Sequence, residues 1–254
     1  MTLLVAIQLG IPLLLTTWLW FWPSHDRFVL TLQFVAVVAV MIAIWTAGIW
    51  SFVPRWNLAV IAIFALIAAL KGARRETPVL GLSVWLQTFF SLTLLMAGGF
   101  VIAEAWRGHQ PPSIASVQLT LPLDGNDLLV VNGGSKLLLN AHQDTLDLSV
   151  PQHRLWRGQS YGVDFVAIRQ TGITSHKIMP ADPSRYAIFG RAVHAPCTGK
   201  VLAVRDGRPD LEVPKVDERV MEGNHVRLRC GEFEIVLAHL KRGSLNVGAA
   251  EQVT

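Results

Sequence analysis

Four apolar runs without an ionisable residue fill most of the first hundred positions: Leu3 to Trp22, Phe28 to Trp50, Trp56 to Leu70 and Val79 to Ala103. About 20 helical residues at about 1.5 Å each cross roughly 30 Å of hydrocarbon, so the first, second and fourth runs are long enough to span a membrane. The third is shorter and reads either as a short span or as an interfacial segment. No Lys or Arg precedes the first run, and it is too long for the apolar core of a signal peptide, so it too is expected to be a span. The pattern changes at Arg107-Gly-His-Gln-Pro-Pro-Ser113, where two prolines cannot continue a helix and the chain reads as a linker. Beyond it the apolar residues alternate with period two in short stretches: Val117 to Leu121, Leu128 to Val131, Tyr161 to Ile168, Gly199 to Val204, Asn224 to Arg229 and Phe233 to Leu237. Gly and Pro clusters separate them, which predicts a mostly β domain. Val226, Leu228 and Cys230 mirror Phe233, Ile235 and Leu237 about Gly231, as in a hairpin with one apolar face. From Leu123 to Leu146, Asn132-Gly-Gly-Ser135 and Leu137 to His142 predict a turn and a short strand, and Asp206 to Gly223 predicts a solvated loop.

Composition divides the chain at the same place. Hydrophobic residues make up 52% of the 254 positions and charged ones 16%, with a mean hydropathy of +0.41. Up to Trp106 only Asp26, Arg27, Arg55, Lys71, Arg74, Arg75, Glu76 and Glu104 are charged, whereas eight of the nine tryptophans lie there, many near run ends as interfacial anchors do. A purely cytosolic chain, a disordered chain and a disulfide-dense mini-domain are thereby excluded. Lys71, Arg74 and Arg75 place the loop before the last span in the cytoplasm, so everything after Trp106 is expected outside it. With four spans the protein is then a multi-pass protein of the cytoplasmic (inner) membrane, its N-terminus and Arg55 outside and Arg27 inside. The spans hold no ionisable residue, though they offer Gln8, Gln33 and Gln87, which favours an anchor over a transport path. Gly98-Gly99 and Ala36, Ala39 and Ala43 suit helix packing. After Trp106 the 17 basic and 15 acidic residues nearly balance, leaving no basic stripe for nucleic acid, and none is expected as a partner. The expected organisation is an anchor over 1–106, a linker and lead-in strands over 107–131, and a β domain over 132–254.

Few residues in the second half invite chemistry. Asp164 sits in an apolar stretch, where a buried carboxylate needs a metal or an arginine such as Arg157 or Arg169 as partner. His239 shares strand parity with Phe233, Ile235 and Leu237, which places it at the end of the apolar face as a core histidine. His225 alternates with Arg227 and Arg229 on the opposite face, and His194 is compatible with either environment. No close-spaced zinc motif or phosphate loop is present. Cys197 and Cys230 are either two buried thiols or, under oxidising conditions, one disulfide adding about 3 to 4 kcal/mol in the chain-entropy description.

Phe189-Gly-Arg-Ala-Val-His-Ala-Pro-Cys-Thr-Gly-Lys-Val201, Val204-Arg-Asp-Gly-Arg-Pro-Asp210, Gly223-Asn-His-Val226 and Leu237-Ala-His-Leu-Lys-Arg-Gly-Ser-Leu245, with Tyr161-Gly-Val-Asp164 upstream, resemble the lysostaphin-type (LytM-like) zinc metalloendopeptidases that cut peptidoglycan cross-bridges. The resemblance covers roughly 132–254. It implies a barrel-sandwich-hybrid β fold, a bound Zn2+, Asp164 as a metal ligand and His239 as a catalytic histidine acting on the attacking water. A zinc with three protein ligands keeps a position open for water, lowers its pKa and polarises the scissile carbonyl. Two departures bear on this expectation. Ser160 stands where the family's first ligand His is expected, with His142 as a candidate replacement, and the family's later His-x-His pair does not occur before Thr254. The domain is therefore expected to lack its last strands. Three readings follow: a membrane-anchored zinc endopeptidase, a degenerate relative that binds the cell wall or regulates a hydrolase without cutting, and a barrel-sandwich adaptor or carrier sharing only the fold.

Overall fold

The computed structural model describes residues 2–74, 81–114 and 116–254. Arg75 of the basic loop and the start of the fourth run at Val79 lie outside them, as does the side chain of Arg157. The chain forms two compact units, one of Met1–Pro111, Val130–Asp164 and Thr171–Ile173, the other of Pro112–Leu129, Phe165–Gln170 and Thr174–Thr254.

The first unit contains four helices long and apolar enough to cross a membrane, over Leu3–Phe21, Arg27–Ala47, Trp56–Ala73 and Leu82–Gly108. The first begins as α1 (Thr2–Val5), widens into a π-turn over Ala6–Gly10 and continues as α2 (Ile11–Phe21). Pro12 cannot donate to the carbonyl four residues back, and the wider turn accommodates that loss. Then come α3 (Arg27–Ala47), α4 (Trp56–Ala73) and α5 (Leu82–Gly108). Asp26 caps α3 by accepting from Val29 N at 2.9 Å. The third apolar run is thus a full helix of 18 residues, because α4 continues through Lys71. Likewise α5 runs five residues beyond Ala103, past the start of the expected linker.

The bundle core combines Leu15, Leu19, Leu30, Val37, Met41, Ile61, Ala65 and Ala68. Gly98 of α5 comes so close to α3 that an added Cβ would lie 3.1 Å from the Ala39 carbonyl carbon. The buried glutamines serve the loops. Gln8 Nε2 donates to Ile49 O at 2.7 Å, while Gln33 accepts from Ser24 N at 3.1 Å and donates to Trp22 O at 3.2 Å. They satisfy backbone groups that the helices leave open.

Two short strands, β1 (Leu128–Asn132) and β2 (Asp164–Ala167), pair as a ribbon. Between them the chain is helical, with a 3₁₀ turn over Ala141–Leu146, α6 (Pro151–Trp156) and a second 3₁₀ turn over Arg157–Gln159. This corrects the short strand expected up to His142 and the all-β expectation for the second half. Asn140 accepts from His142 N at 3.2 Å and Pro151 opens α6, two local start signals that override the weak alternation.

In the second unit β3 (Gly199–Arg205), β4 (His225–Cys230), β5 (Phe233–Leu237) and β6 (Gln252–Val253) form one antiparallel sheet in the order β5-β4-β3-β6. The β4–β5 hairpin pairs Val226 with Leu237, Leu228 with Ile235 and Cys230 with Phe233, the register expected from the apolar mirror about Gly231. Gly231 takes the left-handed φ of +61° that the two-residue turn requires. Val201, Val226, Leu228 and Cys230 are the buried centre, covered by Ala195, Val204, Leu240, Leu245 and Val247 among others. The Val117 to Leu121 stretch is not a strand. It is tied down by Thr120 N donating to Pro196 O at 2.9 Å and by a single bridge between Leu123 and Val193. Among the described residues the sheets have four and two strands, and no closed barrel forms.

Candidate functional site

The Asn132-Gly-Gly-Ser135 turn, the 3₁₀ turn starting at Ala141 and the head of β2 bring three polar side chains together within the first unit. His142 Nε2 lies 3.7 Å from Asp164 Oδ1. His142 Nδ1 lies 3.2 Å from the Gly162 carbonyl oxygen. A carbonyl only accepts, so this bond needs the proton on Nδ1 and leaves Nε2 as the ring atom turned to the carboxylate. Asn132 holds the other side of the carboxylate, donating from Nδ2 to Asp164 Oδ2 at 3.2 Å, and its Oδ1 accepts from Ala141 N at 2.8 Å. Its Nδ2 also lies 3.3 Å from His142 Nδ1, a bond that needs the other tautomer, with the proton on Nε2. Asn140, 2% exposed, donates to the carbonyls of Gly162 and Gly134 at 3.1 and 3.3 Å and so fixes the turn carrying the histidine's acceptor.

A histidine nitrogen and a carboxylate oxygen 3.7 Å apart are drawn together by a proton on Nε2 or by a cation between them. Zinc bonds to His and carboxylate of about 2.0–2.2 Å span that separation, and the Nδ1–H···O=C bond is the usual outer support of a metal-binding imidazole. The pair reaches solvent, with side-chain exposures of 18% for His142 and 44% for Asp164. In kind and spacing the two donors therefore fit two positions of a zinc. In number they do not complete one, since no group of three or more His, Cys, Asp or Glu converges on a metal position among the described residues. Ser160 makes no third donor: it is 1% exposed and its Oγ lies 2.7 Å from Thr145 Oγ1.

Among the described side chains the partners of Asp164 are a histidine and an asparagine, whereas the side chain of Arg157, one of the two arginines the sequence suggested, lies outside the described residues. Proximity of His142 to Asp164 could not be read from their separation in sequence. Asn132 and Asn140 gave no signal as site residues beyond their place beside Gly-Gly and two residues before a histidine.

His239 belongs to the second unit. Strand β5 stops at Leu237, and His239 has a left-handed φ of +58°, uncommon outside glycine though histidine takes it more readily than most residues. Its N–H donates to Glu222 O at 2.9 Å and the imidazole is exposed, not the core residue that strand parity suggested. Leu240 N donates to Asn224 O at 2.8 Å, and the buried Asn224 side chain in turn exchanges hydrogen bonds with the Arg208 backbone at 2.9 and 3.0 Å. The loop after His239 is held by carboxylates: Asp206 accepts from Gly243 N at 2.8 Å and Asp210 from Arg242 N at 3.0 Å. The N–H groups of Gly243, Gly207 and Leu245 hold the Asp206 carboxyl below its ordinary pKa. Cys197 and Cys230 form a disulfide with a Cα separation of 6.0 Å, joining the start of the sheet to the end of β4. His194 lies on the surface, its Nε2 3.0 Å from Asp124 Oδ2. Beside it Arg191 pairs with Asp127, whose carboxyl it holds below the usual range. No family model, curated protein or solved structure matches this chain.

Proposed function

We propose that the chain is a cytoplasmic-membrane protein whose residues after Trp106 lie outside the cytoplasm as a lysostaphin-type peptidase-like domain acting on peptides such as peptidoglycan cross-bridges. The observation that carries the reading is the facing of His142 Nε2 and Asp164 Oδ1, with Nδ1 turned to the Gly162 carbonyl. It supports Asp164 as a metal ligand and favours His142 as the replacement for the histidine missing at Ser160. The β3–β4–β5 sheet is read as part of a barrel-sandwich core. Zinc, when bound, would supply an acidified water and polarise the peptide carbonyl. The chain's own contribution is to orient the His142 ring through the Gly162 carbonyl and to hold Asp164 through Asn132. The donor count of two favours a second reading, in which the domain binds wall peptides without cutting them.

The test uses the full chain in lipid nanodiscs with added zinc and isolated peptidoglycan. New amino groups, lost in both His142→Ala and Asp164→Ala, support the peptidase reading. Co-sedimentation without new amino groups supports the binding reading, and neither response overturns both. Alkaline phosphatase fused after Trp106 should be active, and activity only from a cytoplasmic reporter there would overturn the orientation.

A further inference from the structure

We infer that the groove between α3 and α4 is a binding site for one anionic phospholipid, with an acyl chain along the groove and its phosphate on Arg55. The groove is a cavity of about 210 Å³ open to the outside of the bundle and lined by Val38, Met41, Ile42, Trp45, Leu58 and Ala59, among others. Every one of these is apolar, and in a helix pair that crosses a membrane the fluid that meets them is hydrocarbon. The inference thus rests on the four helices being membrane spans, and not on the peptidase reading.

The occupant is set by what stands at the groove's end. Arg55, the residue before α4, stacks its guanidinium 4.7 Å from the ring of Trp45, which itself lines the groove, and 5.9 Å from the ring of Trp50. Its Nε is buried and has no hydrogen-bond partner, so the terminal nitrogens of the guanidinium are the ones left to meet a ligand. Described acidic residues of the same unit are committed elsewhere: Asp26 caps α3, Glu104 pairs with Arg107, Asp144 faces His153, Asp147 accepts from Ser149 and Asp164 from Asn132. A cation held between two tryptophan rings at the end of an apolar groove matches an anion attached to a hydrocarbon chain. A guanidinium suits phosphate because its N–H groups form a planar fork, and stacking on Trp45 presets that plane. A zwitterionic lipid offers the same phosphate with a compensating ammonium, so net charge decides the preference.

The full chain, purified in detergent, is titrated with phosphatidylglycerol or phosphatidylcholine of identical acyl chains, and retained lipid is counted by native mass spectrometry. One phosphatidylglycerol per chain should be retained, about fivefold more strongly than phosphatidylcholine, the gain of about one interfacial charge contact. Arg55→Gln should bring that ratio close to one, and Arg55→Lys should keep most of it. Ala59→Phe, which fills the groove from its exposed side, should reduce retention of both lipids, so the inference stays testable if Arg55→Gln does not fold. Equal retention of the two lipids by the unaltered chain, or an undiminished preference in Arg55→Gln, overturns the inference.

Discussion

Opening the Cys197–Cys230 disulfide should loosen the whole four-stranded sheet. The bond joins residues 33 apart in sequence. For that separation the chain-entropy relation gives about 3.7 kcal/mol at 25 °C, by confining the unfolded ensemble. Cys230 is 6% exposed and sits in the same cluster as Val201, Val226 and Leu228, so the stabilisation is felt by the strands themselves. Hydrogen exchange of the full chain in detergent, read by mass spectrometry on peptides from Gly199 to Leu237, reports it directly. Reduction should lower the protection of the slowest amides by about 500-fold, the equivalent of that free energy. The doubly substituted chain, Cys197→Ala with Cys230→Ala, should lose slightly more, because a void the size of a methyl group costs about 1 kcal/mol further. Protection that is equal in oxidised and reduced chains would refute the reasoning.

Leu228→Ala, at a position 2% exposed on the buried face of the hairpin, should cost about 2–5 kcal/mol in the same exchange experiment, whereas Glu232→Ala in the turn should change little. Gly98→Leu should lower the thermal midpoint of the solubilised protein, because its side chain meets the Ala39 backbone, while Gly99→Leu, with nothing within 4 Å of an added Cβ, should not. The Asp206 carboxyl is held below its ordinary pKa by the Gly243, Gly207 and Leu245 N–H groups. Its stabilisation is therefore complete above the unfolded value of about 3.9 and lost as pH falls through the lower folded value. The urea midpoint of Asp206→Asn should accordingly lie below that of the unaltered chain at pH 7, and the gap should close below about pH 3.9.

The helices were legible because a membrane-length run free of charge has few other uses, and the sheet's centre because Val226, Leu228 and Cys230 answer Phe233, Ile235 and Leu237 across one glycine. The length of α4 was less so: the apolar run stops at Leu70, but a helix can carry Lys71 at its end, where the long side chain reaches the Trp20 ring at 4.6 Å. Alternation misled at Val117 to Leu121, whose hydrogen bonds go to Pro196 in place of a strand. The site was half legible. Asp164 was visible as a carboxylate among apolar neighbours, but what it faces is decided by a turn at Gly162 and a helical stretch between β1 and β2 that leave no period in the sequence. His239 shows the limit of strand parity, since the strand ends two residues earlier and the backbone then turns left-handed.

Zinc affinity of the full chain, measured by competition with a chromophoric chelator, tests the His142–Asp164 pair most directly. The account predicts binding weaker than that of a three-ligand site, lowered at least about tenfold by either His142→Ala or Asp164→Ala. Asn132→Ala should lower it by about 10- to 100-fold by freeing the carboxylate, and Ser160→Ala and His239→Ala should leave it unchanged. Binding that survives both His142→Ala and Asp164→Ala would contradict the assignment of these two residues as metal ligands.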